Sequence, residues 1–164
     1  MAQYFAQLEK QTAPFDNSQT VWRVVQVVAV GDDIATADGP LKDNPMHADG
    51  EAWCVNWFKG GTWKQTFQNG LRKRYAGVGN VYDYSKDKFM EQQPFASWSL
   101  DDNDDWQAPV PYPTTDTYND NGNIRPYGVW WDEEDQMWKG VDHQTPQNTY
   151  EWNPETLAWD PPTP

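Results

Sequence analysis

Few residues of this sequence have the chemistry that nucleophilic or acid–base catalysis requires. Its 164 residues include one cysteine, Cys54, and two histidines, His47 and His143. Both histidines lie in polar stretches that read as loops, with no nucleophile nearby. Cys54 falls within an aromatic helical pattern, which favours a buried apolar role, and a lone cysteine excludes an internal disulfide. We therefore predict that the protein is not an enzyme and has no catalytic residues.

Carboxylates are numerous, but their spacing favours turns over a catalytic cleft. Glycoside hydrolysis requires two carboxyl groups at a fixed separation, one of them with a raised pKa. The acidic run at 101–105 offers no burial that would raise a pKa. It also lacks the glycine and the distal glutamate of an EF-hand loop, and residues 116–123 are an equally weak calcium candidate. The sequence therefore predicts no metal and no cofactor.

The segment 71–79 combines the only basic run of the chain with a glycine pair. Arg72, Lys73 and Arg74 read either as a solvated strand or turn that offsets nearby carboxylates, or as a docking patch for an acidic protein surface. The single G-x-G at 77–79 lacks the strand–loop–helix context of a phosphate-binding loop. A tight turn or a β-bulge explains these glycines better.

The composition limits both the core and the partners of the chain. Hydrophobic residues make up 37% and aromatic residues 15%, including 11 Trp and 8 Tyr. The core is therefore expected to be aromatic and to form in small pieces. A net charge of −13 argues against binding to nucleic acid or to an anionic membrane. No apolar run is long enough for a transmembrane helix, so none is expected.

The negative charge is concentrated in the second part of the chain. Residues 1–95 carry 11 acidic and 10 basic side chains, whereas residues 96–164 carry 14 acidic and 2 basic ones. The later segment also holds 7 of the 11 Trp and 9 of the 13 Pro. This shift predicts a β-rich N-terminal domain at 1–95 and an acidic Trp/Pro-rich hairpin extension at 96–164. The acidic residues form either solvated turns or an exposed face that docks a basic partner.

The N-terminal domain is predicted to be an antiparallel sheet with one short helix. Strands are expected at 4–8 and 21–30, joined as a hairpin by a long loop. The second strand is rich in β-branched residues, which favours a central and mostly buried position. The other expected elements are a loop at 31–50, a short helix with an aromatic stripe that is capped near Asp49 and stopped by Gly60 and Gly61, and a strand at 62–68.

The extension reads as a string of aromatic β-hairpins. In YEWNPETLAW, a four-residue turn at 153–156 places Pro at its second position, where proline is favoured. Trp152 then lies opposite Leu157, and Tyr150 lies opposite Trp159. Three further segments show the same pattern of two aromatic or apolar strands joined by a short polar turn. Their expected pairs are Val129 with Trp138 across 132–135, Leu100 with Trp106 across 101–105, and Tyr84 with Phe89 across 85–88.

Hairpins of this kind are not expected to supply a core alone. A lone hairpin is marginal in water. An aromatic cross-strand pair adds only about 0.2–1 kcal/mol, against about 1–2 kcal/mol of backbone entropy for each ordered residue. The proline-rich spacers between the hairpins favour extended polyproline II backbone. We therefore expect much of residues 96–164 to become ordered by contact with a partner or a symmetry mate.

The aromatic faces of the hairpins are the candidate binding residues. Tyr and Trp are preferred anchors of protein–protein contacts, while an exposed indole can also stack on the apolar face of a sugar ring. The residues alone leave both roles open. The predicted partner-binding residues are Trp98, Trp106, Trp131, Trp138, Tyr150, Trp152 and Trp159, together with Arg72, Lys73 and Arg74.

Four motifs in the first 113 residues carry a family resemblance. They are G-G-T-W-K-Q-T at 60–66, L-R-K-R-Y-A-G-V-G-N-V-Y-D at 71–83, P-F-A-S-W-S-L-D at 94–101 and W-Q-A-P-V-P-Y-P at 106–113. With the opening Y-F-A-Q-L and the V-V-Q-V-V-A-V strand, they resemble a family of small structural proteins of marine tailed phages, cyanophages in particular. The resemblance implies a virion component and supplies no catalytic residues. The two later hairpins look like an extension of this family.

The sequence therefore predicts a non-enzymatic structural protein of a phage virion. It would decorate the capsid or sit at the tail, portal or fibre junction. Its partners would be other virion proteins in a homo-oligomer or other symmetric assembly, with no nucleic acid and no membrane. It would assemble in the host cytoplasm and remain in the virion, where the salt of seawater screens its charge. The alternative function is an adhesin module that binds host glycans.

Overall fold

A computed structural model describes residues 2–37, 39–41 and 48–161 of the chain. The backbone divides into two units, Met1–Gln93 and Pro94–Pro164, close to the boundary drawn from the composition. Both units are built mainly from antiparallel strands, which confirms the predicted mainly β class with an N-terminal sheet and aromatic hairpins. Among the described residues, no helix is long and apolar enough to cross a membrane.

The first unit is a five-stranded antiparallel sheet with one helix. The strand order in the sheet is β5-β1-β2-β6-β7, and β3 pairs with β4 within the stretch that was expected to be a loop. The elements are β1 (Ala2–Thr12), β2 (Thr20–Gly31), β3 (Ala35–Thr36), β4 (Gly39–Pro40), α1 (Ala48–Trp57), β5 (Thr62–Thr66), β6 (Val81–Asp83) and β7 (Lys88–Met90).

The β1–β2 hairpin forms the centre of the sheet in the first unit. Both strands extend beyond their predicted segments, and β2 lies between β1 and β6, as its β-branched composition predicts. The expectation that β2 is mostly buried is wrong. Only Val24 and Val30 are fully buried, because β6 pairs with β2 at Trp22 and Arg23 alone and leaves the rest of β2 half-covered.

Two apolar clusters form the core of the first unit. Each cluster contains residues from both strands of the β1–β2 hairpin. The first cluster contains Ala6, Leu8, Val24, Ala76, Tyr82 and Phe89. The second contains Phe5, Val30, Leu41, Cys54 and Trp63.

Helix α1 packs closely on the sheet because of a glycine. A Cβ at Gly50 would lie 2.5 Å from Cζ of Phe5, so only glycine allows this approach. Asp49 lies in the first turn of the helix rather than at its cap, because the helix begins at Ala48. The predicted stop is confirmed: Gly60 and Gly61 adopt φ values of 135° and 90°, which favour glycine.

The second unit consists of hairpins. The last four strands form one antiparallel sheet in the order β12-β13-β14-β15, and two separate two-stranded ladders precede it. The elements are β8 (Ser99–Leu100), β9 (Trp106–Gln107), β10 (Thr117–Asp120), β11 (Asn123–Pro126), β12 (Gly128–Asp132), β13 (Met137–Val141), β14 (Thr149–Asn153) and β15 (Ala158–Asp160).

Three hairpins of the chain share one turn, in which an Asp or Asn follows an aromatic residue. Oδ1 of Asp132 accepts the backbone N–H groups of Glu134 and Asp135, each at 3.1 Å. Asn153 accepts the N–H groups two and three residues ahead in the same way, as does Asp83 in the first unit. The last loop residue is left-handed each time: Asp87, Gln136 and Leu157 have φ values of 51°, 48° and 53°.

This turn changes the predicted strand registers. In the last sheet, Asp132 and Asn153 are the last paired residues rather than the first loop residues, so each loop lies one residue later than predicted. In the first unit, Asp83 is the last paired residue and Tyr84 belongs to the loop, which lies one residue earlier than predicted. The directly opposed pairs are Trp131 with Trp138, Trp152 with Trp159, and Tyr82 with Phe89. The predicted pairs Val129–Trp138, Trp152–Leu157, Tyr150–Trp159 and Tyr84–Phe89 are therefore wrong. The predicted pair Leu100–Trp106 is confirmed.

One hairpin was not predicted. Strands β10 and β11 pair around Asn121 and Gly122, whose φ values of 51° and 91° are typical of a two-residue type I′ turn. The Asn-Gly dipeptide is the strongest local signal for such a turn. From the sequence, residues 116–123 were considered only as a weak calcium candidate, because acidic residues surround this dipeptide.

We predict that Gly140→Ala destabilises the second unit. A Cβ at Gly140 would lie 2.9 Å from Cζ3 of Trp159, so the indole must shift or the strands must separate. We expect a loss of about 1–3 kcal/mol in the free energy of unfolding, measured by denaturant titration. Gly77→Ala is the matched control, because its nearest atom would lie 3.5 Å away. Equal stability of Gly140→Ala and the wild type would contradict the close packing of Trp159.

Candidate functional site

The four strands of the last sheet each contribute one tryptophan to a single aromatic row. Trp131 and Trp138 have ring centroids 5.3 Å apart, and so do Trp152 and Trp159, both pairs in edge-on orientation. Trp98 adds its edge to Trp131 and Trp138 at 6.3 and 5.9 Å. The exposed fractions of Trp131, Trp138 and Trp152 are only 5%, 8% and 5%. We call the four residues Trp131, Trp138, Trp152 and Trp159 the tryptophan row.

The proline-rich spacer supplies hydrogen-bond acceptors for this row. The indole N–H of Trp138 donates to the carbonyl of Val110 at 2.8 Å, and that of Trp159 donates to the carbonyl of Thr115 at 2.6 Å. Tyr112 places its ring edge-on to Trp138, with the centroids 5.0 Å apart. Residues 108–115, which we call the strap, thus accept two indole N–H groups of the row and cover part of it.

A carboxylate fixes the segment that precedes the strap. Glu133 accepts the backbone N–H and the hydroxyl of Ser97 at 2.8 and 2.7 Å, and it accepts the indole N–H of Trp131 at 2.8 Å. The Ser97 hydroxyl and the Trp131 indole lower the pKa of Glu133 from its ordinary value of 4.5, against the opposing effect of burial. The ionised form of Glu133 therefore stabilises the folded second unit.

The expectation that the hairpins lack a core within their own chain is wrong. The most buried indoles of the predicted site, Trp131, Trp138 and Trp152, pack inside the second unit. The proline-rich spacers, which were expected to be extended polyproline II backbone, contribute to this core, because Ala108 and Val110 pack against these indoles. Four other predicted residues of this unit are half-buried, namely Trp98, Trp106, Tyr150 and Trp159. Their contact with a partner stays a prediction.

Tyr150 is held by a buried carboxylate. Its hydroxyl donates to Asp142 at 3.2 Å, and Asp142 also accepts the N–H groups of Gln144 and Asn148. Burial raises the pKa of Asp142, but the hydrogen bonds from the side chain and backbone of Asn148, from Gln144 and from Tyr150 lower it by more, so the net shift is downward. His143 is exposed, and its backbone N–H donates to the hydroxyl of Tyr118. His47 lies outside the described residues.

The basic run is divided between an internal and an exposed role. The side chain of Arg72 is 9% exposed and pairs with Glu51 at 3.2 Å and Asp87 at 3.0 Å, so its charge is balanced within the first unit. Arg74 is more exposed and pairs with Glu91 at 2.7 Å. A docking role for Arg74 and Lys73 stays a prediction, whereas Arg72 acts in the unit's own ion-pair network.

An exposed aromatic patch lies on α1 and the turn after it. Trp57 is 66% exposed and stacks on Trp53, with centroids 5.2 Å apart and ring planes 12° apart. Phe58 stacks on Trp63 at 4.7 Å, and Val55 is also exposed. We call the stacked pair Trp53 and Trp57 the helix patch. Exposed apolar surface of this kind is typical of interaction sites.

The sequence contained a signal for the helix patch. Residues 53–58 include five apolar side chains in six positions, more than one helix face can bury. Cys54 takes the fully buried position, as predicted, and burial and Glu51 raise the pKa of its thiol to about 12. Trp57 and Phe58 remain exposed. The aromatic stripe was predicted, but its exposure was not.

Polar groups border the helix patch on one side. A shallow depression of about 350 Å³ is lined by Trp53, Asn56, Trp57 and Lys59. An indole face, an amide and an ammonium group are thus adjacent at the surface. Across the described ranges, no group of three or more His, Cys, Asp or Glu side chains is placed to hold a metal ion.

Comparisons with protein families, with curated proteins and with solved structures found no match to this chain.

We predict that acid destabilises the second unit through Glu133. Because its folded pKa is lowered, its contribution to stability is present above pH 4.5 and is lost as the pH falls through the folded value. The melting temperature should fall as the pH decreases from about 5 to about 3. Glu133→Gln should melt lower at neutral pH and show a shallower decline.

Glu134→Gln is the matched control for this experiment, because Glu134 is the exposed neighbour in the same turn. It should keep the melting temperature and the pH profile of the wild type. If Glu133→Gln and Glu134→Gln gave the same profile, the bonds of Glu133 to Ser97 and Trp131 would not contribute to stability.

Proposed function

We propose that this chain is a non-enzymatic structural component of a phage particle, which docks on a neighbouring virion subunit through the helix patch. The patch carries the proposal because it exposes the indole of Trp57, while the most buried indoles of the tryptophan row are used inside the second unit. Trp is among the preferred anchors of protein interfaces. The sequence resemblance to small virion proteins supports the choice of a particle as the site of docking.

The surface of the second unit is consistent with this arrangement. Its turns expose Glu134, Asp135 and Glu155 to solvent, and its segment carries most of the net charge. Such a surface repels other acidic surfaces and remains solvated. The first unit is almost neutral, so its helix patch can approach a neighbouring subunit with little like-charge repulsion.

The proposal is tested in purified particles of the phage that encodes the chain. Quantitative mass spectrometry gives the copy number of the protein for each particle. Hundreds of copies favour decoration of the capsid, whereas single digits or low tens favour the tail, portal or fibre junction. Absence of the protein from intact particles would refute the proposal.

We predict that Trp57→Ser reduces incorporation into particles by at least about tenfold, because an interface anchor contributes about 2 kcal/mol or more. Val78→Ser is the control, since Val78 is an exposed apolar side chain of the same unit outside the helix patch. Circular dichroism should show that both variants fold. Wild-type incorporation of a folded Trp57→Ser protein would rule out docking through this patch.

Glycan binding is the second candidate, favoured by the depression beside Trp57. A sugar ring could stack on the exposed indole while Asn56 and Lys59 bond its hydroxyl groups. Trp131 is unsuitable for testing this function, because the indole is buried in the core.

We predict for this alternative that titration with neutral oligosaccharides changes the tryptophan fluorescence of the isolated protein, and that Trp57→Ala abolishes the change. Trp130→Ala is the control, because Trp130 is exposed in the other unit. No fluorescence change with the wild type would dismiss glycan binding and leave the docking proposal standing.

A further inference from the structure

Strand β2 is longer than β6, the strand that pairs with it on the side away from β1. Its ladder with β6 contains only Trp22 and Arg23, and two further backbone bonds tie Val24 to Gly79 and Asn80 at 2.9 and 2.8 Å. From Gln26 to Gly31, β2 pairs with β1 on one side, and Val25 lies at a bulge of that ladder. On its other side, no strand among the described residues pairs with it. We call residues 25–31 the open edge.

The sequence of the open edge lacks the charged residues and prolines that often protect an edge strand. Its sequence, VQVVAVG, contains no charge and no proline. Folded proteins block such edges with lysine, proline or a covering element, because unpaired N–H and C=O groups otherwise recruit another strand. A bulge opposite Gln7 lies at one end of the open edge and leaves the ladder with β1 regular from Gln26 onward.

Both faces of the open edge are apolar. Val27 packs against the first core cluster and Val28 against the second, and both side chains are only half-buried. Ala29 is exposed. An added strand would therefore bury apolar side chains on both faces of the sheet while pairing the free backbone groups.

We propose that the open edge pairs with the open edge of a second copy of this chain, antiparallel and about a two-fold axis at Val28. This pairing places Val28 opposite Val28, Val27 opposite Ala29, and Gln26 opposite Val30. Identical edges are then complementary in length and side-chain character, as an isologous contact requires. The two sheets join into one continuous sheet.

The local charge at the open edge is compatible with a second copy as the occupant. The chain carries a net charge of −13, so two copies can meet closely only where local charge is low, and the open edge is such a segment. The same pairing brings the turn with Asp32 and Asp33 of one copy toward Arg23 of the other. Within the described residues, the buried Nε of Arg23 has no hydrogen-bond partner. The two-fold axis would create two such contacts.

The proposal is independent of the helix patch, so each can fail without the other. Sedimentation velocity on the full chain at about 10–100 μM should show a dimer, within the concentration range of modest protein–protein affinities. Ala29→Lys places two like charges beside the axis and should raise the dissociation constant at least about tenfold. Phe15→Lys, the same charge change on an exposed apolar residue in the loop at the far end of the β1–β2 hairpin, should leave the dimer intact.

A cross-link tests the register without depending on the lysine variant. Cα atoms directly opposite in antiparallel strands are about 4.5–5.5 Å apart, within the range of a disulfide. Val28→Cys should therefore form a covalent dimer on mild oxidation, whereas Phe15→Cys, at the far end of the hairpin, should not. Cys54 is buried and does not interfere. The proposal would be overturned if the wild type were a monomer at about 100 μM. It would also be overturned if a dimer formed that Ala29→Lys left intact and Val28→Cys did not cross-link.

Discussion

The second unit depends on a requirement of tryptophan: a buried indole N–H needs an acceptor. The tryptophan row buries several indoles in one sheet, and neighbouring strands use their carbonyls for their own ladder. Proline-rich backbone does not enter a ladder, so its carbonyls remain available. The bonds from Trp138 to Val110 and from Trp159 to Thr115 therefore fix where the strap lies, and the strap completes the core that the hairpins alone lack. Glu133 supplies the acceptor for Trp131.

The aromatic row itself depends on the turns. Each Asp or Asn after an aromatic residue accepts two backbone N–H groups, which makes it the last paired residue and places the aromatic residues directly opposite each other. A loop displaced by one residue would leave Trp131 and Trp138 without direct opposition. The local polar turn thus determines the register, the register determines the row, and the row determines which spacer carbonyls are needed.

The sequence predicted what periodicity and local turn chemistry control. The β1–β2 hairpin, the aromatic stripe of α1 and the Leu100–Trp106 pair follow from β-branched runs, helical spacing and loop length. The tryptophan–strap bonds link residues 28 and 44 positions apart, and no local pattern encodes them. For the same reason the sequence did not predict that Trp131 is buried whereas Trp57 is exposed. It also did not predict that Arg72 pairs with Glu51 inside the first unit whereas Arg74 is more exposed. The Asn-Gly turn at 121–122 and the turn registers could have been predicted from known turn preferences.

The two proposed contact surfaces, the helix patch and the open edge, both lie in the first unit. The central claim is that the second unit completes its own core. Hydrogen exchange of the indole N–H groups, followed by nuclear magnetic resonance in dilute protein, tests it most directly. The account predicts slow exchange for Trp138 and Trp159 and fast exchange for Trp57, whose indole is mostly exposed. Fast exchange at Trp138 and Trp159, slowed only when a partner is added, would contradict it.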